Sequence, residues 1–149
     1  MAQTLAFKLV TPTEVVFDGE AELLIAVTTE GEEGVLAHHA PFLAALKPGI
    51  LRANVLRQAS DSAGGDRAGA VTRLELATDE GFMQALPDRV TVLVDEARAF
   101  DQVDVAAARE RLAAALERQK GQPAGSEAYA REQRTVDYAN AQLRLTGHG

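Results

Sequence analysis

Over the first two thirds of the chain, apolar positions come in short runs closed by turn residues. LAFKLV stops at Thr11-Pro12-Thr13, EVVF at Asp18-Gly19, ELLIAVTT at Glu30-Gly31, and FLAALK at Pro48-Gly49. ILRANVLR enters a Ser/Asp/Gly-rich stretch from Ser60 to Gly69, and VTRLELA, GFMQAL and VTVLVD complete the series. Several runs alternate with period two: Val90, Val92 and Val94 share one face, and Thr91 and Leu93 the other. Many short, Val/Ile/Leu-rich strands at this spacing predict an all-β sandwich or barrel over residues 1–98.

The period then changes. DQVDVAAARERLAAALERQK lacks glycine and proline and is dense in strong helix formers. Asp101 is placed to cap this helix, with Asp104 adding negative charge to its first turn. Val105, Ala108, Leu112, Ala115 and Leu116 form its apolar stripe. GQPAGS, residues 121–126, breaks it. A second helix follows from about Glu127 to Arg144, with Ser126 as its N-cap and Tyr129, Val136, Ala139 and Leu143 as its stripe. Residues 99–149 therefore read as an antiparallel helical hairpin. Its contact surface is alanine-rich, and alanine buries far less area than leucine at about 25 cal/mol per Å². Composition leaves open whether this hairpin docks permanently or detaches.

Charge narrows the partners. The net charge is −7, and it resides in the first part of the chain: residues 1–100 hold 15 acidic and 8 basic side chains, residues 101–149 seven of each. A nucleic-acid binder needs a basic patch or stripe, and an anionic membrane repels this balance. A protein partner is the expectation, with no nucleic acid. The opening MAQTLAFKLVTPTEVVF has neither a basic start nor a sustained apolar core, which argues against a signal peptide. No window approaches the roughly 18–20 apolar residues that span a bilayer, so direct membrane insertion is not expected.

Chemistry is sparse. The absence of cysteine removes disulfides, thiolate metal sites and cysteine nucleophiles. GGDRAG lacks the lysine of a phosphate-binding loop. The serines, Ser60, Ser62 and Ser126, lie in no GxSxG turn. His38 and His39 beside Glu32 and Glu33 suggest a metal site or an acid/base pair. Adjacent residues of an extended chain, however, point to opposite faces, and no HExxH is present. A hydrolytic carboxylate pair stays open, although a run of acidic residues is more often a solvated face. No catalytic residue, metal or cofactor is assigned.

One stretch is more specific. EGEEGVLAHHAPFLAALKPGILR, from Glu30 to Arg52, resembles the signature of the epsilon subunit of bacterial and chloroplast F-type ATP synthases, close to EGExGxLxxHAPLxxxLxPGxxR. The likeness extends upstream through TPTEVVFDGE, downstream through DEGFMQALPDRVTVLVDEA, and to YANAQLRL near the C-terminus, covering nearly the whole chain. It implies a sandwich of about ten strands followed by two helices. It also implies a non-catalytic central-stalk (rotor) subunit, coupling gamma to the c ring on the cytoplasmic face of a bacterial inner membrane. Glu32 and His39 fall at positions that meet the polar loops of the c ring; Gly31 and Gly34 shape that segment and Pro41 starts the next. The resemblance further implies that the hairpin is the regulatory part, whose basic residues face the catalytic beta subunits in an inhibitory state. Here the candidates are Arg109, Arg111, Arg118, Lys120, Arg131 and Arg134.

Departures from the pattern qualify this. Ala37 and His38 replace a proline and a glycine or asparagine, so His38 has no family role. Glu80 replaces the first glycine of a pair, changing a turn. In the nucleotide motif [IL]DxxRA, Val103 and Asp104 fit, but Ala107 stands in place of arginine, removing the strongest phosphate contact. The sequence as given ends soon after Leu145, leaving little of the terminal extension that inserts most deeply in strongly inhibitory members. The competing class is a nucleotide-responsive sandwich/hairpin binding module, resting on Asp104 and the basic helices.

Overall fold

The computed structural model describes residues 3–56 and 71–148; the Ser60–Gly69 loop of the sequence reading lies outside them. Nine strands precede two helices: β1 Leu5–Val10, β2 Val15–Thr28, β3 Gly31–Leu36, β4 Phe42–Leu46, β5 Gly49–Leu56, β6 Val71–Thr78, β7 Gly81–Leu86, β8 Arg89–Val94 and β9 Ala97–Ala99. A 3-10 turn, Phe100–Gln102, leads into α1 Val105–Lys120 and α2 Glu127–Leu145. The β-sandwich and helical hairpin are thus as the alternation and the change of period predict. The count among the described residues is nine strands rather than about ten.

Strand order is β1-β8-β7-β4-β2-β5-β6-β9, with β3 on β2 and β1 returning to pair β2 as well. Every pairing is antiparallel except β1 with β8. The long β2 makes this closure possible. Its first half pairs β1, and after a register shift between Ala21 and Leu23 its second half pairs β3 and β5. A shift of this kind bends a strand, so one element serves both layers.

One turn expected from the sequence is corrected here. Asp18-Gly19 closes no hairpin: both residues lie inside β2, opposite Lys8 and Phe7 of β1. Gly31–Leu36, which the pattern of apolar runs passes over, is a strand on the edge of β2, with Val35 its buried residue. The signal was weak because a one-sided edge strand needs little apolar sequence.

The core is the expected one. Leu5, Phe7 and Leu9 from β1 meet Leu24, Leu51, Met83, Val90, Val92 and others in a single cluster. Gly81 is fixed by close packing, since a methyl group there would lie 1.8 Å from the Leu93 carbonyl oxygen.

The hairpin forms around its own seam. The N-cap of α1 is Asp104, which accepts a 3.0 Å hydrogen bond from the Ala107 amide. Asp101 instead lies in the preceding 3-10 turn. Ser126 caps α2 as expected, accepting from the Tyr129 amide at 3.1 Å. In α1, Ala108 and Ala115 are buried with Gln119, whereas Leu116 is 42% exposed. The seam follows the spacing 108, 112, 115, 119, which turns Leu116 outward and brings Gln119 to Gln133 of α2 at 2.7 Å. In α2, Val136, Ala139 and Leu143 are buried as expected. Tyr138, Ala141 and Gln142 are buried too, because α2 rather than α1 rests on β5 and β6. Among the described residues no helix is long and apolar enough to cross a membrane.

Candidate interaction surface

Period-two alternation puts every second residue of the β1-β8-β7-β4 layer outside the core. Most strands fill those positions with polar or small groups. Here Phe82 lies directly across from Leu93 and from Ala45, with Leu43 two residues along β4. Leu43, Phe82 and Leu93 are 70%, 57% and 52% exposed, a run of large apolar side chains on a domain whose core is already closed. A contiguous exposed apolar strip marks an interaction site.

Phe82 and Leu93 of this strip form the floor of a groove of about 1110 Å³. Val10, Ala45, Phe82 and Leu93 line it from the sandwich, Lys47 and Pro48 from the β4–β5 turn, and Ala130, Arg131 and Arg134 from α2. The Thr29–Gly31 turn adjoins the same end. Gly31 there has φ of 115°, a left-handed conformation that favours glycine. Thr28 closes the turn by donating to the Gly31 carbonyl at 2.7 Å.

The sequence-derived residues separate into two places. Glu32 stands near this turn and pairs with Arg52 of β5, whose Nη2 lies 3.0 and 3.1 Å from the two carboxylate oxygens. Arg52 is the arginine closing the sequence motif, 20 positions away, and it was not singled out. Gly34 is exposed, and a side chain there would meet only Leu23 at 3.8 Å, so this glycine is not demanded by packing. His39 and Pro41 lie beyond the far end of β3. The His39 ring rests against Phe42 at 5.3 Å, its Nδ1 donates to the Ala40 carbonyl at 2.6 Å, and its Nε2 is buried without a partner. Glu32 and His39 are therefore not brought together, and neither are the glutamates and histidines of the imagined metal site. Among the described residues no three His, Asp or Glu side chains converge as a metal site would require.

His38 is exposed, with φ of 67°, and its amide donates to the Pro87 carbonyl at 2.7 Å. This position needs a left-handed backbone, which explains why glycine or asparagine suits it and why histidine is strained there.

The six candidate basic residues of the hairpin are all exposed. Arg118 pairs with Glu132 at 3.0 Å, Lys120 with Glu117 at 3.4 Å and Arg134 with Glu80 at 2.6 Å. Among the described residues Arg109, Arg111 and Arg131 make no ion pair; Arg109 approaches His148 at 3.4 Å. Asp104 is occupied as a helix cap, and Ala107 offers only its amide to that cap.

The electrostatics concentrate where the sandwich meets α2. Backbone bonds from Asp79 to Glu96 and from Asp95 to Glu80 bring four carboxylates to one end of β7 and β8. Burial raises the Asp79 carboxyl above its ordinary value, helped by Asp95 and Glu80, while the Glu80 amide and Arg134 oppose the rise. Burial also pushes the Tyr138 phenol up, with Glu96 adding and Arg98 opposing. Arg98 is held protonated by Glu96, whose Oε1 lies 2.6 Å from its Nε.

Comparison with known proteins decides the family. Residues 4–99 match the ATP synthase Delta/Epsilon chain beta-sandwich domain. The chain belongs to the ATP synthase epsilon chain family. It is 34% identical over 143 residues to the ATP synthase epsilon chain of Magnetococcus marinus, covering 96% of this chain and 94% of that one. Its fold is similar to a chain of the Euglena gracilis mitochondrial ATP synthase OSCP/F1/c-ring structure, with a TM-score of 0.70 at 20% identity over 97% of this chain and 82% of that one. It is also similar to a chain of the Tetrahymena thermophila mitochondrial ATP synthase central stalk/c-ring structure, with a TM-score of 0.57 at 17% identity and 97% coverage of both. Epsilon chains are non-catalytic subunits of the ATP synthase.

Proposed function

We propose that this chain is a rotor subunit of a proton-translocating ATP synthase, seated at the cytoplasmic face of a bacterial inner membrane and coupling gamma to the c ring. The observation that carries the reading is the exposed Leu43–Phe82–Leu93 strip on a sandwich with a complete core. A soluble domain that keeps three large apolar side chains in one strip covers them with a lasting partner. The gamma subunit is the occupant that membership in the epsilon family supplies. Gly31 and Glu32 at one end of β3, with Gly34 along it, and His39 and Pro41 at the other form the c-ring edge in this reading. The Glu32–Arg52 pair holds the glutamate in a defined position rather than leaving it free in solvent.

Residues 1–98 act as the docking unit and residues 99–149 as the regulatory one. When the hairpin extends, Arg109, Arg111, Arg118, Lys120, Arg131 and Arg134 face the catalytic beta subunits and slow ATP hydrolysis. Two tests separate these parts. Affinity capture of the tagged chain from native membranes should recover gamma and the c subunit, and recovery of neither removes the rotor reading. Truncation after Asp101 should raise ATP hydrolysis by the assembled enzyme; an unchanged rate removes inhibition and leaves coupling intact.

A further inference from the structure

The contact between hairpin and sandwich is small and incompletely satisfied. Its buried apolar part is a separate cluster of Ala77, Tyr138 and Ala141, flanked by Ile50 and Leu145, and it does not join the sandwich core. Two polar atoms of α2, the Tyr138 hydroxyl and the Gln142 amide nitrogen, are buried there without hydrogen-bond partners. Both residues border a small polar cavity, and docking gives these two atoms no protein partner at good hydrogen-bond geometry. A polar cavity of about 140 Å³ remains between Asp79, Glu96, Arg111 and Tyr138. Burial alone therefore holds the hairpin weakly.

Against this, one ion pair among the described residues joins α2 to the sandwich: Arg134 Nη1 to Glu80 Oε1 at 2.6 Å. The other ion pairs lie within the sandwich or within the hairpin. We propose that Glu80–Arg134 is a latch that holds the hairpin down on the sandwich, and that breaking it releases α2 as a unit with α1. The α1–α2 seam has its own ties, Arg118 to Glu132 and Gln119 to Gln133, so the hairpin stays folded when it lifts. Arg134 also walls the groove above Phe82 and Leu93, so any partner seated there meets the latch directly. The inference deepens the regulatory reading of the hairpin and rests on that reading for its consequence in the assembled enzyme.

Hydrogen exchange of α2 amides in the free, full-length chain reads the opening equilibrium directly. Arg134→Glu sets like charges against Glu80 and should raise α2 exchange by roughly three- to tenfold, the range for a partly exposed pair turned repulsive. Amides of β7 and β8 serve as the control for the sandwich and should not change. The exchanged pair, Glu80→Arg with Arg134→Glu, should return α2 to within about twofold of the parent. Unchanged α2 exchange in Arg134→Glu overturns the latch, as does an exchanged pair that opens as readily as the single variant. Because the free chain is measured, failure here leaves the inhibition test on the assembled enzyme independent.

Discussion

The sandwich and the hairpin are both closed by small and apolar side chains, yet they are held in different ways. In the sandwich, β2 threads both layers, and Leu5, Phe7, Leu24, Met83 and Val92 belong to one cluster. No strand can leave without exposing residues of another. The hairpin buries alanines against itself and rests on the sandwich through Ala77, Tyr138 and Ala141. Interlocked packing produces a rigid platform, while a shallow contact trimmed by charges produces a part that can move. The proposed reading, a coupling subunit with a regulatory arm, uses both kinds of hold in one chain.

The comparison breaks most visibly at Gly81. Gly81→Ala drives a methyl group into the Leu93 carbonyl and should cost about 3 kcal/mol or more of sandwich stability, read as a fall in denaturant midpoint. The corresponding change in the hairpin loop, Gly125→Ala, meets open space and should cost about 1 kcal/mol through its φ of 87° alone. Equal losses at the two positions contradict the difference drawn between the regions.

A smaller effect comes from Asp79, whose carboxyl lies beside Glu80 and Asp95 of the sandwich and Arg134 of α2. Burial raises it above the ordinary 3.8, so the folded chain binds this proton more tightly than the unfolded one. That contribution to stability is full below pH 3.8 and is lost as the pH rises through the raised value. Asp79→Asn keeps an oxygen for the Glu80 amide and removes the charge. It should therefore raise the denaturant midpoint at neutral pH and flatten its dependence on pH. An unaltered midpoint would show that burial does not penalise the Asp79 charge.

The smallest effect is at His38, where a left-handed residue is not glycine. His38→Gly should stabilise the sandwich by about 0.5–1 kcal/mol, or roughly 2–3 °C in melting temperature, without moving α2 protection. A destabilised variant would mean that the imidazole contributes packing that offsets its backbone strain.

What could be read from the sequence follows the same division. Val90, Val92 and Val94 announced the core face of β8, and Leu93 announced the outside, because alternation is a local property. Asp18-Gly19 misled because its turn signal was overruled by pairing with β1, which no local window contains. Gly31–Leu36 was hidden by its polar edge character, and Asp101 was preferred to Asp104 because both fit a cap and only the 3-10 turn separates them. At the candidate surface, the motif pointed to Glu32 and His39, but Arg52 as partner to Glu32 required the fold, as did the distance between the two ends of β3. Phe82 and Leu93 looked like ordinary strand residues until β7, β8 and β4 were laid side by side. The Glu80–Arg134 pair joins positions 54 apart and carried no sequence signal beyond an odd residue in a turn.

The central claim is that the rigid sandwich docks through its apolar strip while the hairpin rests on it through a contact that can be released. The affinity of the full chain for purified gamma subunit, with and without Phe82→Glu, tests it directly. Phe82 is outside the core, so the variant should retain its melting temperature within a few degrees. The account predicts binding weakened by about a hundredfold, the loss expected for a charge placed in the centre of an apolar interface. Unchanged affinity in a folded Phe82→Glu variant would contradict it.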